Sequence, residues 1–356
     1  MKVKILFTLI FMFNLYSINA QNKSVEEQVK MLKKLNEYLE HRLDMLEKRI
    51  DDVLWFERLN NYAFVDKIYI TGPPKWKEKN PTELGAGNPL KFWSYIFIPK
   101  DIDYSKKYPL IILPHGGVHA NFKTYHTHIV KELLAQGYIV AAPEYRGSTG
   151  YGKSFYEAID YGGLEIEDCE STRKHIIENY DFVDENRVGI IGWSHGGLIA
   201  LMTVFEYPEN YKVCFAGVPV SDLILRIGYL GESYQEYFSA DYHIGKTVEE
   251  NIQEYKRRSP VYNVHKLKTP LLIHTNTNDE DVNVIEVESL INALKAQGKN
   301  FEYEIFEDIP GGHSFDRMDT KIAKEIRLKI YKFLEKHLKP QKPFKSTKDI
   351  NKAAYR

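Results

Sequence analysis

A serine at the centre of a Gly-x-Ser-x-Gly motif is the residue of this sequence best suited to nucleophilic chemistry. Ser194 lies in Gly192-Trp193-Ser194-His195-Gly196, between a β-branched run at 187–191 and an apolar run at 198–204. These runs predict a buried strand and a helix. A serine at so sharp a turn takes a strained backbone conformation, and the flanking glycines remove Cβ atoms that would collide. The motif therefore predicts a nucleophile elbow; the alternative is a tight turn with an uninvolved serine.

A serine hydroxyl needs a base, an acid that orients the base, and donors for the oxyanion. For the base we choose His313, which follows two glycines after the last predicted strand. For the acid we choose Asp279, which follows the preceding strand, with Asp281 and Asp222 as alternatives. The chain order Ser, Asp, His is typical of α/β-hydrolases. We therefore predict a catalytic triad of Ser194, Asp279 and His313.

Two backbone N–H groups are expected to hold the oxyanion of such a site. One belongs to His195, directly after the serine, and the other to Gly117 in the loop His115-Gly116-Gly117-Val118. Glycine matters there because the backbone itself must approach the substrate closely. The alternative interpretation of this loop is an ordinary glycine turn.

The elements that must position these residues alternate between strands and helices. Strands are predicted at 66–71, 93–98, 109–113, 138–142, 187–191, 213–217, 271–274 and 301–306. Helical segments between them indicate an α/β fold with a mostly parallel central sheet and helices on both faces, over residues 61–338.

An insertion at about 222–259 interrupts this alternation and is rich in aromatic residues. Its tyrosines include Tyr229, Tyr234 and Tyr237. Such a segment could cover the nucleophile as a cap and line a substrate pocket with aromatic faces. Helix packing with exposed tyrosines is the equally weighted alternative.

The segment at 21–60 is charged and has a heptad pattern of apolar residues. Its a and d positions are Val25, Val29, Leu32, Asn36, Leu39, Leu43, Leu46, Ile50 and Val53. One asparagine at a, with leucine at d, favours a parallel two-stranded coiled coil, and Arg42 and Glu47 could pair across its edge. We expect either a homodimer through residues 25–53 or a single amphipathic helix on the protein's own body.

The two ends of the chain predict targeting and disorder. Residues 1–20 combine Lys2 and Lys4 with a short apolar core and end on Ala20. This pattern predicts a cleaved signal peptide, and hence a periplasmic or secreted protein without stable membrane insertion afterwards. Residues 339–356 carry six basic residues, two prolines and one acid, which predicts a flexible basic tail.

Composition argues against several partners and prosthetic groups. The net charge of -1 does not favour nucleic acid. We expect Cys169 and Cys214 to be buried free thiols. The histidines at 115, 119, 126 and 128 have no acidic or cysteine partner near them in sequence, so we expect no metal, and the serine chemistry needs no cofactor.

Several separated motifs resemble the catalytic domain of the prolyl oligopeptidase family of serine peptidases, over about residues 90–338. They are His115-Gly116-Gly117, Arg146-Gly147-Ser148-Thr149-Gly150-Tyr151-Gly152, Gly192-Trp193-Ser194-His195-Gly196-Gly197, Ser259-Pro260, Thr269-Pro270-Leu271-Leu272-Ile273-His274 and Gly312-His313. The resemblance implies an α/β-hydrolase fold and hydrolysis of small peptides through an acyl-enzyme. The spacing of Asp279 and His313 from Ser194 agrees with what it implies for the acid and the base.

The sequence departs from the family pattern in ways that leave the substrate open. Val118 stands where the family usually has proline, and Thr275 where the loop of the acid usually has glycine, although Asp279-x-x-Val282 is kept. We expect a catalytic domain without the family's N-terminal β-propeller, so aminodipeptidase specificity does not transfer. The alternatives are a carboxylesterase acting on acyl or aromatic esters, for example of carbohydrate, and a non-catalytic binding protein on a hydrolase scaffold.

Overall fold

The structure is a computed structural model that describes residues 25–77 and 80–354. The predicted signal peptide lies outside the described residues. Within the described ranges, no helix is both long and apolar enough to cross a membrane.

Eight strands and twelve α-helices make up the described chain. The strands are β1 (Ala63–Pro74), β2 (Pro89–Pro99), β3 (Tyr108–Ile112), β4 (Ile139–Pro143), β5 (Val183–Trp193), β6 (Val213–Gly217), β7 (Leu271–Asn276) and β8 (Glu302–Phe306). The helices are α1 (Val25–Leu59), α2 (Thr127–Gln136), α3 (Lys153–Tyr156), α4 (Leu164–Asn179), α5 (His195–Glu206), α6 (Leu223–Leu230), α7 (Glu232–Ser239), α8 (Ile252–Arg258), α9 (Pro260–Asn263), α10 (Val284–Ala296), α11 (Lys321–Leu338) and α12 (Thr347–Ala354). Each strand predicted from the sequence coincides with or overlaps one of these strands.

All eight strands form one sheet in the order β1-β2-β4-β3-β5-β6-β7-β8. β1 pairs with β2, and β2 with β4, in antiparallel fashion, while the pairs from β4 onward are parallel. The predicted mostly parallel sheet is therefore confirmed. Its antiparallel strands lie at one edge, so the parallel strands that carry the candidate site lie towards the other.

Helices cover both faces of the sheet. Successive β3 residues alternate between two core clusters, with Leu110 and Ile112 in one and Ile111 in the other, as side chains on opposite faces must. The first cluster includes residues of α4, α5 and α10, and the second includes residues of α1, α2, α11 and α12. Both cysteines belong to the first cluster as buried free thiols, as predicted.

The N-terminal segment is the predicted long helix, and one side of it lies on the catalytic body. Trp55 is fully buried, stacks on Phe122 at 5.2 Å between ring centroids and donates its indole N–H to the Phe122 carbonyl oxygen at 3.3 Å. Leu59 is also buried. The helix therefore contacts its own body, while its apolar heptad residues remain exposed.

The expectation of a flexible basic tail at 339–356 is wrong for the described residues of that segment. The chain forms helix α12, which packs against α2, and buries Phe344 and Ile350 in the second core cluster. The prediction failed because it was based on the many lysines of the segment and gave no weight to these two apolar side chains. Two buried apolar side chains suffice to hold a short amphipathic helix on the body.

Candidate active site

Ser194 occupies the turn between β5 and α5 in a strained conformation. Its φ is 58° and its ψ is -125°, a region that non-glycine residues rarely adopt and that costs about 1–3 kcal/mol. A Cβ atom at Gly192 would collide with the carbonyl oxygen of Gly196, and one at Gly196 would lie 2.5 Å from the Pro114 oxygen. The glycines are therefore required by close packing, and the turn has the geometry predicted for a nucleophile elbow.

His313 is hydrogen-bonded to Asp279 through one ring nitrogen. Its Nδ1 lies 2.8 Å and 2.9 Å from the two carboxylate oxygens of Asp279. The backbone N–H groups of Asp281 and Val282 both donate to Asp279 Oδ1 at 2.9 Å. Because the carboxylate is held in place, it fixes the orientation of the ring and favours the tautomer with hydrogen on Nδ1.

The two alternative acids lie elsewhere. Asp281 approaches the opposite side of the ring, with its carboxylate 3.9 Å from His313 Nε2. Asp222 caps α6 and accepts the N–H groups of Ile224 and Leu225. Of the three carboxylates considered from the sequence, the structure brings only Asp279 to Nδ1.

The loop that carries His313 is hydrogen-bonded to Trp193, the residue before the candidate nucleophile. Trp193 Nε1 donates to Asp316 Oδ2 at 2.7 Å, and the Arg317 guanidinium lies 5.7 Å from the Trp193 ring centroid. Within the described residues, no hydrogen bond joins the Ser194 hydroxyl to the imidazole. Contacts of this kind are often long in unliganded enzymes and shorten when the substrate binds.

The predicted oxyanion loop lies directly against the nucleophile. A Cβ atom at Gly116 would be 3.0 Å from the Trp193 oxygen and 3.3 Å from Ser194 Cβ. Gly117 has φ 75°, and a Cβ atom there would be 2.7 Å from Ala120 Cβ. Glycine is therefore needed at both positions, while the role of Gly117 as an oxyanion donor stays a prediction. The second candidate donor, the backbone N–H of His195, lies at the start of α5, where the helix dipole favours negative charge.

The His195 side chain faces away from the nucleophile's chemistry, as the sequence suggested. It is buried against the Tyr161 ring at 4.9 Å between centroids, and its Nε2 lies 3.8 Å from a Glu165 oxygen. The role of its backbone N–H as an oxyanion donor stays a prediction.

A buried ion pair behind the oxyanion loop was not anticipated from the sequence. Lys48 Nζ, on α1, lies 2.6 Å from Glu144 Oε1, and Glu144 Oε2 lies 3.7 Å from His115 Nε2. Burial raises the pKa of the Glu144 carboxyl, and Lys48 opposes this shift. A lysine on a highly charged helix gives no sequence signal that it is buried.

The tyrosines of the insertion fall into two groups. Tyr229 and Tyr234 contact Arg226, whose Nη1 is 2.8 Å from the Tyr229 hydroxyl and whose Nη2 is 3.2 Å from the Tyr234 hydroxyl. Arg226 Nη2 also lies 2.6 Å from Asp281 Oδ1. This group therefore reaches the carboxylate beside His313. Arg226 was not singled out from the sequence. The only sequence feature that could have indicated its role is that it is the one charged residue in α6.

Tyr237 belongs to a separate group around His243, which is buried, and His119, which is partly buried. Its ring centroid lies 4.3 Å from that of His243, and His243 Nε2 lies 3.1 Å from His119 Nε2. Burial lowers the pKa of His119 to about 4 and that of His243 to about 2, so both are neutral at pH 7. Across the described residues, no group of three or more His, Cys, Asp or Glu side chains could hold a metal ion.

A cavity of about 730 Å³ opens beside the insertion but is not lined by the candidate triad. Lys75, Lys77, Asp241 and Tyr242 are among its lining residues. The three tyrosines singled out from the sequence do not line it. The substrate-pocket role assigned to them therefore stays a prediction.

The sheet order, the strained Ser194 turn and the His313–Asp279 pair define a member of the α/β-hydrolase class. The chain belongs to the prolyl oligopeptidase family, whose profile matches residues 124–341. The resemblance seen in the sequence motifs is therefore confirmed.

Curated relatives agree with this assignment, and a solved structure agrees with the fold. The chain is 28% identical over 247 residues to the Bacillus subtilis protein described as uncharacterized peptidase YuxL, a match covering 68% of this chain and 37% of that one. It is 26% identical over 220 residues to the Mus musculus acylamino-acid-releasing enzyme, covering 58% and 29%. The solved acylaminoacyl peptidase of Pyrococcus horikoshii is similar in fold, with a TM-score of 0.65 at 19% identity, covering 84% and 46%. The chain thus spans about a third of the length of these curated relatives.

Proposed function

We propose that this protein is a serine peptidase that hydrolyses small peptides through an acyl-enzyme. The observation that carries the proposal is the Asp279–His313 pair, which holds hydrogen on Nδ1 of the imidazole and so leaves Nε2 as the nitrogen able to take a proton. The loop that carries this histidine is fastened to Trp193, the residue that precedes the strained serine.

In the first step, the Ser194 hydroxyl attacks the carbonyl carbon of the scissile bond. The hydroxyl proton passes to His313 Nε2, and Asp279 stabilises the imidazolium that forms. The N–H groups of His195 and Gly117 donate to the oxyanion, and because the folded backbone already holds them in place, they stabilise the charge as it develops.

In the second half of the reaction, His313 protonates the leaving amine, which departs and leaves an ester on Ser194. Water then attacks the ester with His313 acting again as base, and the acid product is released. The same residues would cleave a carboxylic ester, because only the leaving group differs. The peptide preference is therefore supported by the relative described as an uncharacterized peptidase and by the one described as an acylamino-acid-releasing enzyme.

The substrate class is tested by comparing peptide anilides with aryl esters of the same acyl group. A peptidase turns over both classes, and the Ser194→Ala variant turns over neither. Ester hydrolysis without anilide hydrolysis would identify a carboxylesterase instead. If the folded parent protein hydrolysed neither class of substrate, the result would favour a non-catalytic binding protein.

We also propose that the protein is exported, on the basis of the signal-like residues 1–20. Expression of the full chain should yield a periplasmic or secreted product whose N-terminus is Gln21. The matched control replaces Leu6 and Leu9 by Asp, which interrupts the apolar core. Cytoplasmic retention of the unaltered, uncleaved chain would contradict export.

A further inference from the structure

Helix α1 has two opposite faces along its length, and the protein's own body covers only one of them. The residues His41, Lys48 and Trp55 all fall on the f position of the heptad, and they face the body. Lys48 and Trp55 are buried, while His41 packs edge-on against Tyr156 at 5.2 Å between centroids. In an isolated two-stranded coiled coil, this face would be the one in solvent.

The opposite face carries the a and d positions of residues 25–53, which we call the seam. The protein's own body leaves the seam exposed along its length. Leu32 is 64% exposed, Leu43 60%, Leu46 56% and Ile50 57%. The remaining apolar members of the seam, Val25, Val29, Leu39 and Val53, are exposed as well. A contiguous aliphatic stripe of this size is unusual on a monomer and marks an interaction surface.

We propose that the occupant of this seam is α1 of a second copy, paired as a parallel, in-register two-stranded coiled coil. The inference does not depend on the proposed catalytic activity. It joins the two interpretations of the sequence, because the helix docks on its own body through one face and is free to dimerise through the other.

Self-complementarity of the pattern argues for a second copy as partner. Leucine occupies successive d positions at 32, 39 and 46, and the a positions include one asparagine, Asn36. A single asparagine at a favours two parallel strands in register, since its amide then meets the same amide of the partner. Arg42 at g faces Glu47 at e of the other helix in this register, and the opposite charges complement each other.

The size and geometry of the seam suit a stable dimer. From Val29 to Val53 it runs about 36 Å, which is about three and a half heptads, within the three to four heptads over which a sustained a/d pattern indicates a coiled coil. Since the f positions face each body, the two catalytic domains lie on opposite outer sides of the coil. The candidate active sites are thus outside the interface.

The test measures the mass of the full mature chain in solution by sedimentation equilibrium. We expect a dimer for the parent and a monomer for Leu39→Glu/Leu43→Glu. The control Lys30→Glu changes the net charge by the same two units at an exposed b position and should remain dimeric. The near-ultraviolet circular dichroism spectrum of the monomeric variant should match that of the parent, which shows that its body is folded.

The relative direction of the two helices in the dimer is tested by an engineered disulfide. Asn36→Cys should cross-link two copies under mild oxidation, because the parallel register places the two residues side by side, and the native cysteines are buried. A parent of monomer mass, or a dimer that survives the seam substitutions, would overturn the proposal. A dimer that fails to cross-link would overturn the parallel register. Capture of a different protein by a monomeric parent would point to a heterologous partner instead.

Discussion

The ammonium group of Lys48 lies 2.6 Å from a carboxylate oxygen of Glu144, and the two side chains are 2% and 0% exposed. The pair joins the N-terminal helix to a residue that directly follows β4. Because His115 lies 3.7 Å from the other Glu144 oxygen, the pair also supports the loop that carries Gly117. The helix is thereby part of the structure behind the candidate oxyanion site.

Replacing Lys48 by methionine should therefore destabilise the protein strongly. Glu144 would be left buried without its cation, which costs about 3–5 kcal/mol. The double variant Lys48→Met/Glu144→Gln should recover much of this loss, since no charge remains buried. Denaturant unfolding of the three proteins measures the difference. A single variant within about 0.5 kcal/mol of the parent, the range of an ordinary surface change, would show that the pair contributes little.

Asp279→Asn should reduce kcat by about 10³–10⁴-fold while leaving the fold intact. Asparagine would hold the imidazole in the wrong tautomer, with Nε2 protonated and unable to accept the serine proton. The matched control is Asp281→Asn, two residues away in the same loop, which removes a carboxylate 3.9 Å from Nε2 and should have a much smaller effect. Equal losses in the two variants, measured on an activated aryl ester, would remove the distinction between these acids.

Much of the site was predictable because its signals are local in sequence. Ser194 is identified by its glycines and by the strand and helix around it. His313 and Asp279 follow successive strands at the same end of a parallel sheet. The choice between Asp279 and Asp281 remained open, because both belong to one loop and only its folded hydrogen bonds decide which carboxylate meets Nδ1.

Other features depended on partners that are distant in sequence. The burial of Lys48 requires Glu144, which lies 96 positions further along the chain. Arg226 is held in position by ion pairs with Asp281 and Glu286. The C-terminal helix is held by Phe344 and Ile350, whose partners lie on other helices. Composition and periodicity describe one segment at a time, so they cannot supply these contacts.

The buried histidine His243 predicts an acid-sensitive stability. Its folded pKa is lowered to about 2, chiefly by burial, against about 6.5 in the unfolded chain. Between these values the unfolded chain binds a proton that the folded protein does not. Stability contributed by the neutral ring is therefore complete above about pH 6.5 and falls by up to about 1.4 kcal/mol per pH unit below it.

The measurement compares the pH dependence of the unfolding free energy in the parent and in His243→Asn. The variant should show a shallower fall from pH 6 to pH 4.5, because asparagine takes up no proton on unfolding. Above pH 7 the two slopes should coincide, which serves as the internal control. Parallel curves over the whole acidic range would mean that His243 titrates alike in both states.

The central claim is that Ser194 is an activated nucleophile, and a fluorophosphonate probe tests it most directly. The purified mature protein should be labelled in proportion to its concentration, with mass spectrometry placing the adduct on Ser194. The Ser194→Ala variant should remain unlabelled, and Asp279→Asn should react much more slowly. A folded parent protein that takes up no probe, or a Ser194→Ala variant labelled as readily as the parent, would contradict the account.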